Sequence, residues 1–312
     1  MSPDFHLVHP HVTVIERGWL NCNQIVLTSR DENILIDSGY GRHAQATVAY
    51  VEDALQGKPL HRLINTHCHS DHMGGNRALR EKYGCRITVP EGEIQQVVPW
   101  TAQSCWSAQM DQYAEEFQFD DSISADDTFA VSDLVWRAIS APGHDMGAVM
   151  FWCESTRMLI TGDALWERGL GFVWPSTAGD APNSNIRAAF ETFDAIERLK
   201  PITIIPGHGA PFQGVEESLA FNRSKLTALA SDPIKAARNV AKSLFVFSLL
   251  DKQTMAIADL ETYIASVPVY QQLDEAFLHM GFAAIATMLQ TELLAAGAVS
   301  LREGQLSATM RV

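Results

Sequence analysis

A chain of 312 residues with 46% hydrophobic and 19% charged residues has room for one large core or for two domains, and it does not read as disordered. A net charge of −14 at pH 7, with no basic run, argues against a nucleic-acid partner, because phosphate backbones are held by clustered Lys and Arg. The five cysteines form no CxxC pair, no stretch reaches the roughly 18 apolar residues of a membrane span, and residues 1–12 show no leader pattern. The expectation is a soluble cytoplasmic protein with reduced thiols and no membrane partner.

In chain order, strand-like segments fall at residues 12–16, 23–28, 34–37, 61–65, 86–89, 135–140, 148–153, 158–161 and 203–205. Helical segments at about 44–56, 74–83 and 185–199 separate them. In the last of these, Ile186, Ala189, Phe190, Phe193, Ile196 and Leu199 recur at three- and four-residue steps, the spacing of one buried helix face. Asn183 or Ser184 supplies its N-cap and Pro201 stops it. Strands followed by face-covering helices, twice over, predict an α/β (α+β) chain built as a four-layer αββα sandwich over residues 1–215. The remaining residues, 216–312, read as helices at 216–229, 233–249, 255–265 and 271–295 and a hairpin at 298–308, a winged-helix-like outline. Residues 232–312 carry six Lys or Arg against eight Asp or Glu, and 271–295 contain no Lys or Arg. A DNA-reading helix would be basic, so this tail reads as a packing, pocket-closing or dimerising element.

The chemistry concentrates in Thr66-His67-Cys68-His69-Ser70-Asp71-His72, three imidazoles and a carboxylate within one short segment. Neutral imidazole and carboxylate are first-row metal ligands. The segment follows a strand, so the ligands sit on a strand-end loop, where backbone is free to aim side chains inward. Three more strands end in the same manner: Ala141-Pro142-Gly143-His144, Thr161-Gly162-Asp163 and Pro206-Gly207-His208. Strand ends followed by Gly converge on one edge of a sheet, and Gly lets backbone approach closely there. Taken alone, His144 or His208 is an ordinary turn histidine; together with the first cluster they complete a metal site. Cys68 lies between two candidate ligands, and its side chain is expected to point away.

These residues resemble the metallo-β-lactamase-fold hydrolase superfamily over residues 10–212. His67, His69, Asp71 and His72 match its HxHxDH signature, and His144, Asp163 and His208 match its downstream ligands in order and spacing. The resemblance implies that His67, His69 and His144 hold one metal ion, that Asp71, His72 and His208 hold a second, and that Asp163 bridges them. The Thr-Gly-Asp turn looks more like the glyoxalase II and lactonase branches than the antibiotic-hydrolysing ones. Two divalent ions roughly 3.5 to 4 Å apart can share a water and lower its pKa towards about 7, giving a bridging hydroxide that attacks a carbonyl. Asp71 lies beside it as the candidate proton acceptor. Zinc is the default ion; iron and manganese accept the same donors.

Around the site, residues 164–175 place Trp166, Phe172 and Trp174 directly after Asp163, and residues 91–118 carry a second set of apolar side chains. Aromatics in loops beside a metal site suggest a pocket for an apolar or aromatic group. Arg168 is a candidate for a substrate carboxylate, and Tyr40 and Tyr113 are candidate leaving-group proton donors. The leading expectation is a hydrolase of a small ester, thioester or lactone. A metal-dependent ribonuclease or phosphodiesterase, a β-lactamase-type amide hydrolase and a non-catalytic ligand sensor are the other readings, and a homodimer is allowed.

Overall fold

The structure, a computed structural model, describes residues 3–101, 103–176 and 184–310. Seven strands form the first sheet in sequence order: β1 (Asp4–His9), β2 (Val12–Glu16), β3 (Gln24–Leu27), β4 (Ile34–Ile36), β5 (Arg62–Ile64), β6 (Arg86–Pro90) and β7 (Asp121–Ile123). β1 to β4 run antiparallel, and β4 to β7 are parallel. The second sheet holds β8 (Thr128–Val131), β9 (Leu134–Ser140), β10 (Val149–Cys153), β11 (Met158–Gly162) and β12 (Thr203–Pro206), in the order β12-β11-β10-β9-β8. Strands β1, β7 and β8 were not expected from the sequence. All three are edge strands; β7 and β8 run only three and four residues, and β1 mixes polar residues among its apolar ones, too little to mark a strand alone.

Side chains alternate across each pleat, so one strand feeds two layers. Val12, Val14, Ile25, Leu27, Ile34 and Ile36 meet Trp136, Ala138, Val149, Phe151 and Ile160 of the facing sheet and form the central core. The intervening Ile15, Val26 and Leu35 face outward under α1 (Ala44–Leu55) and α3 (Asn76–Tyr83). On the far side Met150, Trp152, Leu159 and Ile204 pack under α6 (Asn185–Leu199), whose Ile186, Ala189, Phe193 and Ile196 are the expected buried face. Strands buried on both faces read as near-continuous apolar runs for this reason. The result is the four-layer αββα sandwich. Ser184 caps α6 by accepting from the Arg187 amide at 3.3 Å; Asn183 lies outside the described residues.

Between these layers, the stretch after β5 contains a helical turn, α2 (Ser70–Met73), before α3. The stretch after β6 contains the short α4 (Ile94–Val97) and α5 (Ser107–Met110), each preceded by a 3-10 turn. The C-terminal region comprises α7 (Val215–Ala230), α8 (Pro233–Lys252), α9 (Leu260–Ser266), α10 (Pro268–Leu273), α11 (Phe282–Ala295) and a three-stranded sheet of β13 (Met255–Ala256), β15 (Gln305–Ala308) and β14 (Val299–Arg302). Val215, Leu219 and Leu226 of α7 join the outer layer beside α6. The core of the other helices takes in Leu20, Tyr40 and Met110 from the loops around the sheet edge.

One expected helix is broken. Residues 271–295 form two segments bent by 94°, with His279 and Gly281 in the left-handed region at φ 50° and 79°. Asp274 holds the corner by accepting from the amides of Met280 and Gly281. The apolar periodicity runs through the break, and one glycine carries the signal for it. Among the described residues no single helix is long and apolar enough to cross a membrane.

Candidate metal centre

Parallel strands deliver their C-terminal ends to one rim. β4 leads into Asp37, β5 into His67 to His72, β11 into Asp163 and β12 into His208. β9 runs parallel to β11, since both are antiparallel to β10, and so brings His144 to the same rim. His67 and His69 stand in the loop, whereas Asp71 and His72 stand on the helical turn α2, a difference from the expected all-loop segment.

The side chains gather into two groups. Donor atoms of His67, His69 and His144 lie within 4.8 Å of one another, and so do those of Asp71, His72, Asp163 and His208. Asp163 faces both: its Oδ1 lies 3.2 Å from His72 Nε2 and 3.6 Å from His208 Nε2, and its Oδ2 lies 3.6 Å from His144 Nε2. His208 Nε2 is also 3.3 Å from Asp71 Oδ2. Glycine permits this crowding. A Cβ at Gly207 would stand 2.4 Å from Asp163 Oδ1, and one at Gly171 would stand 2.4 Å from the His144 ring.

Outer partners aim the rings. His72 Nδ1 donates to Asp37 Oδ2 at 2.8 Å, and Asp37 also accepts from the Thr66 amide and hydroxyl, both at 2.8 Å. His67 Nδ1 donates to the Thr66 hydroxyl at 3.1 Å, and His144 Nδ1 donates to the Phe172 carbonyl at 2.6 Å. His208 is stacked on Trp19, with centroids 4.1 Å apart, and met edge-on by Trp166. Such partners fix tautomer and orientation in metal-binding histidines. Behind His69, Asp145 Oδ2 lies 3.5 Å from Nε2. Asp145 pairs in turn with Glu93, whose carboxyl is pushed well above its usual range by burial and then by Asp145. Glu93 also accepts from the Cys68 amide at 3.1 Å.

Charge at the site fits a cation. Burial, then the neighbouring His72 and His69, hold His67 well below its usual pKa; burial, then His144, lower His69 to about 4. Burial opposes ionisation of Asp71 and Asp163, but His72 and His208 outweigh it and hold both carboxyls low. His72 is the exception. Burial works against its proton, yet Cys22, Asp163, Asp37 and Asp71 raise its pKa well above the usual value. The cluster therefore draws positive charge into a buried space, as a cation seat does. Geometry agrees: Nε2 of His67, His72 and His208 are buried without any hydrogen-bond partner, though carboxylate oxygens stand within 4 Å of the latter two. Unpaired buried nitrogens are costly unless something off the protein meets them. His67 and His69 held neutral beside ionised Asp71 and Asp163 are in the protonation states that bind metal, and the proton drawn to His72 is what a cation would replace.

Every candidate ligand is thus brought to one place. Cys68 is not among them; its side chain lies in the apolar layer beneath α1 and α3. Trp166 and Phe172 line a cavity of about 380 Å³ over the site, together with Trp19, Met110, Gln112 and residues of α7, α8 and α11. Phe172 and Trp174 line a second cavity of about 540 Å³ that also reaches His69 and His144. Arg168 lines neither; its guanidinium sits over the Phe221 ring. The proposed proton donors also miss the site. Tyr40 is fully buried and its hydroxyl accepts from the Tyr113 amide, while the Tyr113 hydroxyl donates to Glu115. Asp37, Trp19, Gln112 and the walls from α7, α8 and α11 were missed. Asp37 carried a signal, a strand running into Asp-Ser-Gly like the other ligand turns; the helix residues carried none.

A family model for the metallo-beta-lactamase superfamily matches residues 17–208. A probable metallo-hydrolase of Methanocaldococcus jannaschii is 25% identical over 62% of this chain and 89% of its own length. A hydroxyacylglutathione hydrolase of Brucella ovis is 27% identical over 67% and 70% of the two chains. Among solved structures, a beta-lactamase domain protein from Burkholderia ambifaria superposes with a TM-score of 0.58 at 19% identity, covering 99% of this chain and 96% of that one.

Proposed function

The chain belongs to the metallo-beta-lactamase superfamily and is a metal-dependent hydrolase, and on that premise we propose that it is a dinuclear thioester hydrolase. The carrying observation is Asp163, whose two oxygens face two separate imidazole groups, so one carboxylate serves two cation seats. His67, His69 and His144 would hold one ion and Asp71, His72 and His208 the other. Zinc is the ion this donor set takes by default, with iron and manganese fitting the same ligands. Two such ions supply a nucleophilic water at neutral pH and polarise the carbonyl oxygen.

The chain's own residues do the rest. Asp71 lines the cavity and takes the proton from the attacking water. Trp19 and Trp166 wall His208 and keep bulk water from that side. Trp166 Nε1 donates to Asp163 Oδ1 at 3.3 Å and steadies the shared carboxylate. Phe172 stands between the two cavities, where a substrate lying across the metals has one arm in each. Two observations favour a thioester over an ester. Neither tyrosine offers a proton to the departing group, which suits a thiolate, since thiols ionise near pH 8.5. The Brucella ovis relative is named a hydroxyacylglutathione hydrolase, and an acyl group carried on the sulfur of glutathione is a thioester.

We read the C-terminal helices and three-stranded sheet as a winged-helix-like, substrate-facing unit, a reading supported by the strand order β13-β15-β14 behind the helices. The test is a screen of purified protein against thioesters, lactones, β-lactams and phosphodiesters, with metal analysis of the same sample. Thioester turnover with two ions per chain, abolished in His67→Ala, is the expected result. Undiminished turnover in His67→Ala, or cleavage of phosphodiesters alone, overturns the reading.

A further inference from the structure

We propose that the C-terminal helices select a substrate with an apolar arm ending in an anionic group, bound by Lys225 and Lys242; the proposal rests on the thioester reading above.

The cavity over the metal centre is lined by His69, Asp71, His144 and Asp163 and also by the C-terminal region. From that region Leu244, Phe247 and Leu250 of α8 and Leu293 of α11 are apolar, while Lys225 of α7 and Lys242 of α8 bring two cations to the lining. On α8 the lining residues Asn239, Lys242, Ser243, Val246 and Leu250 recur at three- and four-residue steps, so one face of the helix is turned to the cavity. Asn239 and Ser243 add neutral polar groups beside the lysines.

The two lysines differ in their partners. Lys242 donates to Glu292 at 2.8 Å, an acid it shares with Arg238. Lys225 lines the cavity and is exposed there, with no acidic partner among the described residues. An ammonium without a counter-charge beside an apolar wall is open to an arriving anion, with which it can form a charge-assisted pair. The carboxylates lining the same cavity, Asp71 and Asp163, are engaged by histidines, and among the described residues neither lysine pairs with them. An apolar lining with two cations on helices separate from the metal ligands matches a substrate whose arm is aliphatic or aromatic and whose end is a carboxylate or a phosphate. That anion belongs either to the acyl arm or to the thiol arm, and its position on the substrate is readable by experiment.

Three thioethers, with CH₂ in place of the carbonyl, serve as probes that need no turnover: one with a carboxylate on the acyl arm, one with a carboxylate on the thiol arm, and one with a neutral amide. Their affinities for the metal-loaded protein are measured by calorimetry, and kcat/KM is measured for the three matching thioesters. One carboxylated probe is expected to bind about tenfold tighter than the amide, the gap of a charge-assisted hydrogen bond. Lys225→Gln is expected to erase most of that gap, Lys242→Gln part of it, and the exposed Lys235→Gln none. The probe that responds tells which arm carries the anion. Equal affinities in the native protein, or a gap that survives both Lys225→Gln and Lys242→Gln, overturns the proposal. Binding that follows the lysines while no thioester is cleaved sustains anion recognition and refutes the thioester reading alone.

Discussion

Asp37→Asn isolates the outer support of the centre, because it changes one atom and no volume. In the native protein Asp37 Oδ1 accepts from the Thr66 amide, and Oδ2 accepts from both His72 Nδ1 and the Thr66 hydroxyl, each at 2.8 Å. An amide can place its oxygen at only one of these two positions. If the oxygen replaces Oδ2, the new NH₂ faces the Thr66 N–H, donor against donor. If it replaces Oδ1, His72 Nδ1 loses its acceptor and its Nε2 is no longer held towards Asp163. Either way one fully buried donor is orphaned, a loss of about 1 to 3 kcal/mol of stability. Loss of the hydrogen-bond partner behind a metal-binding histidine typically changes metal affinity by roughly 10- to 100-fold, equivalent to about 1.4 to 2.8 kcal/mol. The assay pairs thermal unfolding of the metal-loaded and chelated protein with competitive titration of zinc against a chromophoric chelator. The second ion, the one at Asp71, His72 and His208, should weaken while the first is held more nearly as before. Two ions bound with native affinity in Asp37→Asn would refute the argument that His72 is aimed by this carboxylate.

Gly171→Ala sets a Cβ 2.4 Å from the His144 ring, so the ring must leave its position; metal analysis should show loss of the ion held by His67, His69 and His144, with circular dichroism unchanged. Glu93→Gln keeps the shape of a neutral carboxyl that pairs with Asp145. Because the folded Glu93 pKa is raised, its contribution to stability is complete below about pH 4 and is lost as pH rises towards the folded value. Unfolding by urea across pH 4 to 8 should therefore slope downward less in Glu93→Gln than in the native chain, and identical slopes would discard the assignment. Trp19→Ala removes the ring stacked on His208 and should weaken the second ion by about three- to tenfold, the value of an aromatic pair at roughly 0.5 to 1.5 kcal/mol. Phe172→Ala merges the two cavities and should blur discrimination between short and bulky acyl arms in kcat/KM, without loss of metal.

Much of this protein is written in short-range pattern. Alternating Val, Ile and Leu in residues 12–36 specifies strands that must be buried on both sides, and α6 shows its inner face by spacing alone. The seven His and Asp residues of the candidate centre were legible because each of their turns follows an apolar run and, in three of four cases, a glycine. Chemistry that needs imidazole and carboxylate leaves few substitutes, so residue type itself carries the information. The strands at the sheet edges and the corner at residues 279–281 were not legible, since they depend on pairing partners and on Asp274 reaching two distant amides.

What the tertiary structure alone decided is what surrounds the candidate metal centre. Whether an aromatic faces the site depends on the path of its loop, and so Trp19, far from every ligand in sequence, stacks on His208 while Tyr40 is turned into the core. Lys225 and Lys242 look like any solvated lysines of a helix surface until α7 and α8 fold over the cavity. The ligand set is fixed by the chemistry of single residues, which a sequence states outright. The substrate's shape and charge are fixed by which distant helices come to lie against that site, and only packing of the whole chain sets that.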